Sequence, residues 1–178
     1  MPNDQTPAFT PLNIAVLTVS DTRSDEDDVS GDLLRDALDK AGHHCVDKRI
    51  VRDDKYAIRA VVSNWIAAPE IDVVLSTGGT GITGRDGTPE AISPLLDKEI
   101  NGFGETFRAI SYAEIGTSTL QSRALAGVAN ATYLFVLPGS SGACRTAWEK
   151  LIVHQLDSRT RPCNLVMLMP RLNEQQNG

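Results

Sequence analysis

The 178-residue chain has no apolar stretch approaching the length of a membrane span. Its first residues, MPNDQTPAFTP, carry neither the basic nor the apolar segment of an export signal. A cytoplasmic location is expected. Cysteine is scarce: Cys45, Cys144 and Cys163 are odd in number, far apart and free of any C-x-x-C spacing. This argues against a disulfide frame or a zinc site and leaves buried reduced thiols as the expectation. Positive charge is in deficit. Seventeen Lys and Arg against 23 Asp and Glu leave a net charge of −6, a field that repels nucleic-acid backbones and anionic membranes. Neither is expected as a partner, and an anionic substrate must be held by local N–H groups, a few arginines or a metal. Internal repeats and low-complexity tracts are missing, as is the G-x-S-x-G turn that a Ser-His-Asp hydrolase needs at its nucleophile.

A hydrophobic fraction of 41% is enough for a core, and the length suits one unit, placed at residues 12–170 between polar terminal segments 1–11 and 171–178. The run NIAVLTVS, Asn13 to Ser20, is β-branched and apolar throughout, as in strands buried on both faces. After the acidic loop DTRSDEDD, Val29, Leu33, Leu34, Ala37, Leu38 and Ala41 recur at helical spacing, with Gly42 at the left-handed C-terminal position. Asp25 to Asp28 read as a solvated part of that loop.

The pattern repeats with a strand over Cys45 to Val51, a helix carrying Ile58, Val61, Val62, Trp65 and Ile66, and a third strand, Ile71 to Ser76. Alternating strands and helices imply an α/β fold with a parallel sheet covered on both faces. Downstream, GETFRAISYAEIG and TSTLQSRALAG read as helices, TYLFVLPG as a strand and GACRTAWEKLIVHQL as a long helix with Cys144, Trp148, Leu151 and Gln155 on one side. CNLVMLM is either an edge strand or a tail packed on a partner subunit.

In such sheets ligands sit beyond the carboxyl ends of the strands. Asp21, Asp53 and the Thr77–Asp86 segment each follow a proposed strand, so the topology gathers them at one edge. The last of these belongs to STGGTGITGRDGTPEA, Ser76 to Ala91. Gly79, Gly81 and Gly84 satisfy G-x-G-x-x-G, but the helix signal waits until Thr88, too late for a dinucleotide fingerprint. Arg85 and Asp86 stand where a Walker loop has Lys and Ser/Thr, so that chemistry is missing as well. There remains a bare backbone able to turn successive N–H groups toward an anion, with Asp86 set beside it. A carboxylate next to an anion calls for a bridging cation, and Mg²⁺ is commonly held by one or two carboxylates plus substrate phosphate oxygens. The plainer reading is a tight turn with Asp86 solvated. Thr88 is expected to N-cap the next helix, with Pro89 at its first position, Glu90 in its first turn and Pro94 ending it early.

TVSDTRS, STGGTGITGRDGTPEA, STLQSRALAG and LPGSSGACRTAWEKL, in this order, resemble the molybdopterin-binding family of molybdenum cofactor biosynthesis, the MogA/MoaB group, from about Leu12 to Cys163. YAIRAVVSNWIA, EIGTSTLQSRA and ACRTAWE point to its MoaB branch. The resemblance implies a three-layer α/β/α sandwich with a mostly parallel central sheet, assembled as a homotrimer or homohexamer and working beside other proteins of the pathway. Active members use Mg-ATP to place AMP on the terminal phosphate of molybdopterin, releasing pyrophosphate. Two aspartates carry that activity in the family. They are matched here by Asp53 in VRDDKYA and Asp86 in the glycine loop, which are also the expected magnesium ligands. Asp54 becomes the counterpart if the loop is shifted by one residue.

The chemistry is consistent with this. The attacking phosphate is already ionised near neutral pH, and the obstacle is bringing one phosphate against another. Unit charges about 4 Å apart repel by about 4 kcal/mol at an effective dielectric near 20. Catalysis must therefore mainly screen and align.

By the same resemblance the substrate-binding set comprises Ser20 and Asp21 on the pterin side, the loop residues Thr77, Gly78, Gly79, Thr80, Gly81 and Arg85, and the helix start Thr88, Pro89 and Glu90. Ser122 and Arg123 near the pocket and Pro138, Gly139 and Ser140 on the nucleotide side complete it. Plainer readings stand beside these: a polar loop start for Ser20 and Asp21, a helix salt bridge for Arg123, and a turn before a helix cap for Pro138–Ser140. PGSSG departs from the PGxP turn of MogA-like members, and a noncatalytic molybdopterin-binding oligomer is the alternative function. The adjacent His43 and His44 face opposite ways on a strand and share no metal, and Trp65 and Trp148 sit at core spacing.

Overall fold

A computed structural model describes residues 7–174; the ends of both polar terminal segments, 1–6 and 175–178, lie outside the described residues. Its framework is a six-stranded sheet in the order β2-β1-β3-β6-β5-β4. The strands are β1 (Asn13–Val19), β2 (His44–Val51), β3 (Val73–Thr77), β4 (Lys98–Glu99), β5 (Leu125–Ala129) and β6 (Thr132–Leu137). β2, β1, β3 and β6 run parallel, whereas β5 is antiparallel to β6 and β4 to β5. Helices α1 (Val29–Lys40), α2 (Lys55–Ala67), α3 (Thr88–Ile92) and α4 (Asn101–Ile115) are followed by a longer helical segment. That segment consists of α5 (Ser141–Ala147), a wide π turn at Trp148–Ile152 and α6 (Val153–Gln155).

Successive side chains of a strand point to opposite faces, and the continuous apolar runs fill both. Ile14, Val16, Val73, Leu75, Tyr133 and Phe135 pack in one core with Leu34 and Leu38 of α1, Phe103 and Phe107 of α4, and Cys144 and Trp148. Ala15, Leu17, Val19, Val74, Leu134 and Val136 face a second core with Ile58, Val62 and Trp65 of α2 and Ala91 and Ile92 of α3. Helices cover both sides of the sheet, so the α/β sandwich expected from the sequence is the fold found.

Several sequence-based expectations need correction. TSTLQSRALAG is not a helix: Gly116–Gln121 forms a 3₁₀ turn and Leu125–Ala129 is strand β5. β5 reaches β6 through Asn130 and Ala131, both at positive φ (46° and 64°), the geometry of a two-residue hairpin turn. CNLVMLM is not an edge strand. Val166–Arg171 is a 3₁₀ segment on the chain's own core, held by the Tyr133 hydroxyl donating to Leu165 O at 2.8 Å. In the last long helix the buried residues advance in fours, Cys144, Trp148, Ile152 and Leu156, because the π turn is wider than an α turn, and Leu151 and Gln155 are only half-buried. Of the thiols only Cys144 is buried; Cys45 is half-buried and Cys163 exposed.

Asp28 belongs to the core and not to the solvated acidic loop. It is 1% exposed, caps α1 by accepting from Gly31 N at 3.0 Å, takes the Thr18 hydroxyl at 2.8 Å and pairs with Lys48 Nζ at 2.8 Å. His43 precedes β2 and is buried, its Nδ1 accepting the Leu12 amide at 3.2 Å.

Candidate active site

Because β2, β1, β3 and β6 are parallel and adjacent, their carboxyl ends form one edge, and pairing continues just beyond the strands. Ser20 N donates to Val51 O at 2.9 Å, and Gly78 N to Leu137 O at 3.1 Å. The loops carrying Ser20 and Asp21, Asp53, the glycines and Pro138–Ser140 are thereby set side by side. β1 leads away to β2 on one side and borders β3 on the other, so the crevice between β1 and β3 is the topological switch point of the sheet.

The glycine loop crosses this crevice. Gly78 and Gly79 stand at φ +97° and +65°, and a Cβ on Gly78 would lie 2.2 Å from Val19 O. Only glycine permits that approach. At the base of the loop the buried Thr88 hydroxyl donates to Gly78 O at 2.8 Å and Thr88 N to Gly79 O at 3.0 Å. Gly87, and not Thr88, is the N-cap of α3, and it makes no side-chain cap. The Thr88 hydroxyl ties the loop down instead. Pro89 follows Thr88 in the first turn and is buried, and Pro94 lies in the 3₁₀ turn that ends the helix. Thr77, also buried, donates its hydroxyl to Pro138 O at 2.9 Å, which joins the glycine loop to the turn after β6. Thr77, Thr88 and Pro89 thus shape the site from below.

Asp53 and Asp86 meet the same loop. Asp53 Oδ1 accepts the Gly87 amide at 3.0 Å, and its Oδ2 lies 2.7 Å from where a Cβ on Gly79 would stand. Asp86 Oδ2 accepts from Thr83 N at 3.0 Å and the Thr83 hydroxyl at 2.6 Å, and it lies 2.5 Å from the Cβ position of Gly81. A side chain at either glycine would fill the space beside an aspartate. Asp54, the alternative to Asp53, is spent on local structure: it N-caps α2 through Tyr56 N at 2.9 Å and Ala57 N at 2.8 Å.

Burial pushes the Asp53 carboxyl above the usual aspartate range against the pull of the Gly87 amide, and the charges of Asp86 and Asp21 act in the same upward direction. Asp86 is held below that range, first by the Thr83 hydroxyl. Asp21 is held low by Arg85, whose guanidinium spans its carboxylate at 2.8–3.0 Å across the β1–β3 crevice. Asp21 Oδ1 also takes the Asp53 amide at 3.1 Å, so the exposed Asp21 and Arg85 are joined to the half-buried Asp53 in one network. Ser20 Oγ caps its own turn by accepting from Thr22 N and Arg23 N at 3.2 and 3.1 Å.

On its other flank the loop borders a cleft of about 500 Å³ lined by Thr80, Gly81, Ser122, Pro138 and Ser140, together with Phe107, Ser111, Glu114 and Ile115 of α4 and Arg145 and Thr146 of α5. Ser122 Oγ is buried here without a partner among the described residues. Ser140 is the N-cap of α5, accepting from Ala143 N at 3.2 Å, and a Cβ on Gly139 would come 3.2 Å from Gly78 Cα. The α4 and α5 residues of this cleft went unnoticed in the sequence, where their helical spacing reads as ordinary core. A groove of about 550 Å³ between α1 and the Arg145–Glu149 turn is somewhat larger, but no residue of the glycine loop lines it. Arg123 and Glu90 are turned onto the loop itself, Arg123 through Thr80 O and Asp86 O, both at 3.1 Å.

Among the described residues no helix is long and apolar enough to cross a membrane, and no three His, Cys, Asp or Glu side chains converge as a metal cage. Residues 15–158 match the family described as "Probable molybdopterin binding domain". Molybdenum cofactor biosynthesis protein B of Escherichia coli (strain K12) is 63% identical over 156 residues, covering 88% of this chain and 92% of that one. A crystal structure of a molybdenum cofactor biosynthesis protein B superposes with a TM-score of 0.85 at 45% identity, covering 95% of this chain and all of the other. The tungsten cofactor synthesizing protein MoaB from Pyrococcus furiosus gives 0.73 at 43% identity over 81% of this chain and 92% of its own. With a family match across most of its length and a relative this similar, the chain belongs to the molybdopterin-binding domain family of molybdenum cofactor biosynthesis proteins.

Proposed function

We propose that this protein acts in molybdenum cofactor biosynthesis by binding molybdopterin and adenylylating its terminal phosphate with Mg-ATP, releasing pyrophosphate, as a homotrimer or homohexamer. The observation that carries the reading is that Asp53 and Asp86, from loops after two different strands, both abut the glycine loop at the switch point. Support also comes from the loop's main chain: the amides of Gly79, Thr80 and Ile82 meet no acceptor among the described residues, and such N–H groups favour an anion.

The residues fit a magnesium ion. Both aspartates present hard oxygen donors, and each leaves one oxygen clear of its strongest local bond: Oδ2 in Asp53 and Oδ1 in Asp86. Two carboxylates without a third ligand suit a metal that completes its shell with phosphate oxygens and water. When bound, the cation supplies charge screening between the two phosphate groups. The chain's own part is to fix the carboxylates through Gly87 N and Thr83, to offer loop amides to phosphate and to shelter the bulk of a ligand in the cleft beside α4.

The test is to supply purified protein with molybdopterin and Mg-ATP and follow AMP transfer and pyrophosphate release, with Asp86→Asn alongside. Transfer by the parent and its near-complete loss in the variant, with pterin binding retained, is the expected result. Binding without turnover by the parent would replace this reading with that of a noncatalytic molybdopterin-binding protein.

A further inference from the structure

Arg123 lies in the short extended stretch between the 3₁₀ turn Gly116–Gln121 and β5, between Ser122 and the buried Ala124. Its guanidinium is committed on three sides. Nε donates to Thr80 O and Nη2 to Asp86 O, each at 3.1 Å, and Nη1 meets the Glu90 carboxylate in the first turn of α3. Thr80 and Asp86 lie on the two limbs of the glycine loop, six residues apart, so one side chain joins the outgoing limb to the returning one.

The loop needs such a cross-link. Glycine-rich main chain loses the most conformational freedom on ordering, and the other ties sit at its base or tip or, like Arg85 on Asp21 and Gly87 N on Asp53, hold the returning limb alone. Gly78 and Gly79 are held at the base by Leu137 O and Thr88. Thr83 and Asp86 bond to each other at the tip through Asp86 N to Thr83 O at 3.1 Å and the two bonds onto Asp86 Oδ2. Among the described residues, no other side chain donates to both limbs. Two carbonyls and a carboxylate call for a planar fork of donors. Arginine provides this, and lysine, a point charge on a flexible stem, does not.

We propose that Arg123 is a positioning residue for the adenylyl-transfer site: it clamps Thr80 O to Asp86 O, so fixing where the Asp86 carboxylate stands, and does not itself grip substrate phosphate. The inference rests on the proposed function for the role of Asp86, but the clamp itself is measurable without turnover. Glu90, by holding the third side of the guanidinium, orients the clamp.

The experiment compares the parent with Arg123→Lys, Arg123→Gln and Glu90→Gln, first by hydrogen exchange of the unliganded proteins. The hydrogen-bonded amides of the loop, those of Thr83, Asp86 and Gly87, should exchange about tenfold faster or more in both Arg123 variants, a change worth about 1.4 kcal/mol in local opening. Strands β1 and β3 should keep the parent's protection, and Glu90→Gln should fall between. Unchanged loop exchange in Arg123→Gln overturns the clamp whether or not the parent turns over. In the transfer assay the clamp predicts a fall in kcat and a higher Mg²⁺ requirement, with KM for molybdopterin and ATP within about twofold. Partial recovery of Arg123→Gln by added guanidinium ion, below denaturing concentrations, would support it. A raised KM with kcat intact would overturn it, because that is the signature of an arginine that binds substrate directly. A parent without transfer activity would sink the adenylyltransferase reading, and the exchange data would then decide the clamp alone.

Discussion

Asp53 Oδ1 accepts the amide of Gly87 at 3.0 Å, so the carboxylate after β2 holds the residue next to Asp86 and the two aspartates keep a fixed relation through one hydrogen bond. This bond separates the charge of Asp53 from its structural role. Asp53→Asn keeps an acceptor for Gly87 N and is expected to melt near the parent while losing about 10²–10³ of the transfer rate, the usual scale for removing a preorganised electrostatic group. Asp53→Ala should lose the rate and also about 1 kcal/mol of stability, because the Gly87 donor is left without its partner. Thermal unfolding beside the transfer assay checks both; equal stability losses in the two variants would show that the bond does not position the loop.

The two carboxyl groups should titrate in a set order. Burial raises Asp53 and Thr83 lowers Asp86, so on acidification Asp53 takes up its proton first. Cation binding needs carboxylates, so protons compete with Mg²⁺ at these groups, and the acid limb of the Mg-dependent rate should move to lower pH as Mg²⁺ is raised. For stability the signs differ. Asp53, with its folded value raised, contributes stability at low pH that is lost as the pH rises through that value. Asp86, with its value depressed, contributes stability above the ordinary value that is lost as the pH falls through the depressed one. Carbon-13 titration of the aspartates reads the order directly, and Asp86 protonating at higher pH than Asp53 would refute it.

The buried hydroxyl of Thr88 is expected to matter more than its place in a helix suggests. Thr88→Val keeps the shape and leaves Gly78 O without its donor, which should cost about 1–3 kcal/mol. Gly79→Ala should damage the loop by another route. At φ +65° its Cβ would stand 2.3 Å from Thr88 Oγ1 and 2.7 Å from Asp53 Oδ2, displacing both. Denaturant unfolding checks the first, and loss of transfer with the fold intact checks the second.

Asp28 should behave as a core residue although it sits in the run DEDD. Asp28→Ala leaves Lys48 with Asp32 alone, at 3.3 Å, leaves the Thr18 hydroxyl without its acceptor and removes the cap of α1, an expected loss of about 2–4 kcal/mol. Asp25→Ala, on the exposed part of the same loop, should stay within about 0.5 kcal/mol of the parent. Chemical denaturation of the pair distinguishes a buried tether from a solvated loop.

The parts of the fold legible in the sequence are those written as continuous apolar runs. β1, β3 and β6 fill both cores and so could be read without knowing their neighbours. β5 was hidden because LAGVA is mostly small residues and its turn, Asn130-Ala131, lacks the glycine that marks a tight hairpin. The gathering of Asp21, Asp53 and the glycine loop at one edge followed from strand order alone. The partners of individual side chains did not. Asp28 finds Lys48 twenty residues on and Arg123 finds the glycine loop some forty residues back, and neither contact leaves a local pattern. Asp54 carried a readable signal in its place just before α2, where an aspartate caps.

On the proposed reading, Asp53 and Asp86 serve one cation together with a nucleotide at the glycine loop. Crystals grown with Mn²⁺ in place of Mg²⁺ and a non-reactive ATP analogue, with the ion located by anomalous scattering, put this shared ligation to the test. One ion is expected, bound directly by Asp86 and Asp53 oxygens and by phosphate oxygens, at distances close to the ~2.1 Å typical of Mg²⁺. An ordered nucleotide whose ion touches neither aspartate, or touches them in two separate places, would contradict it.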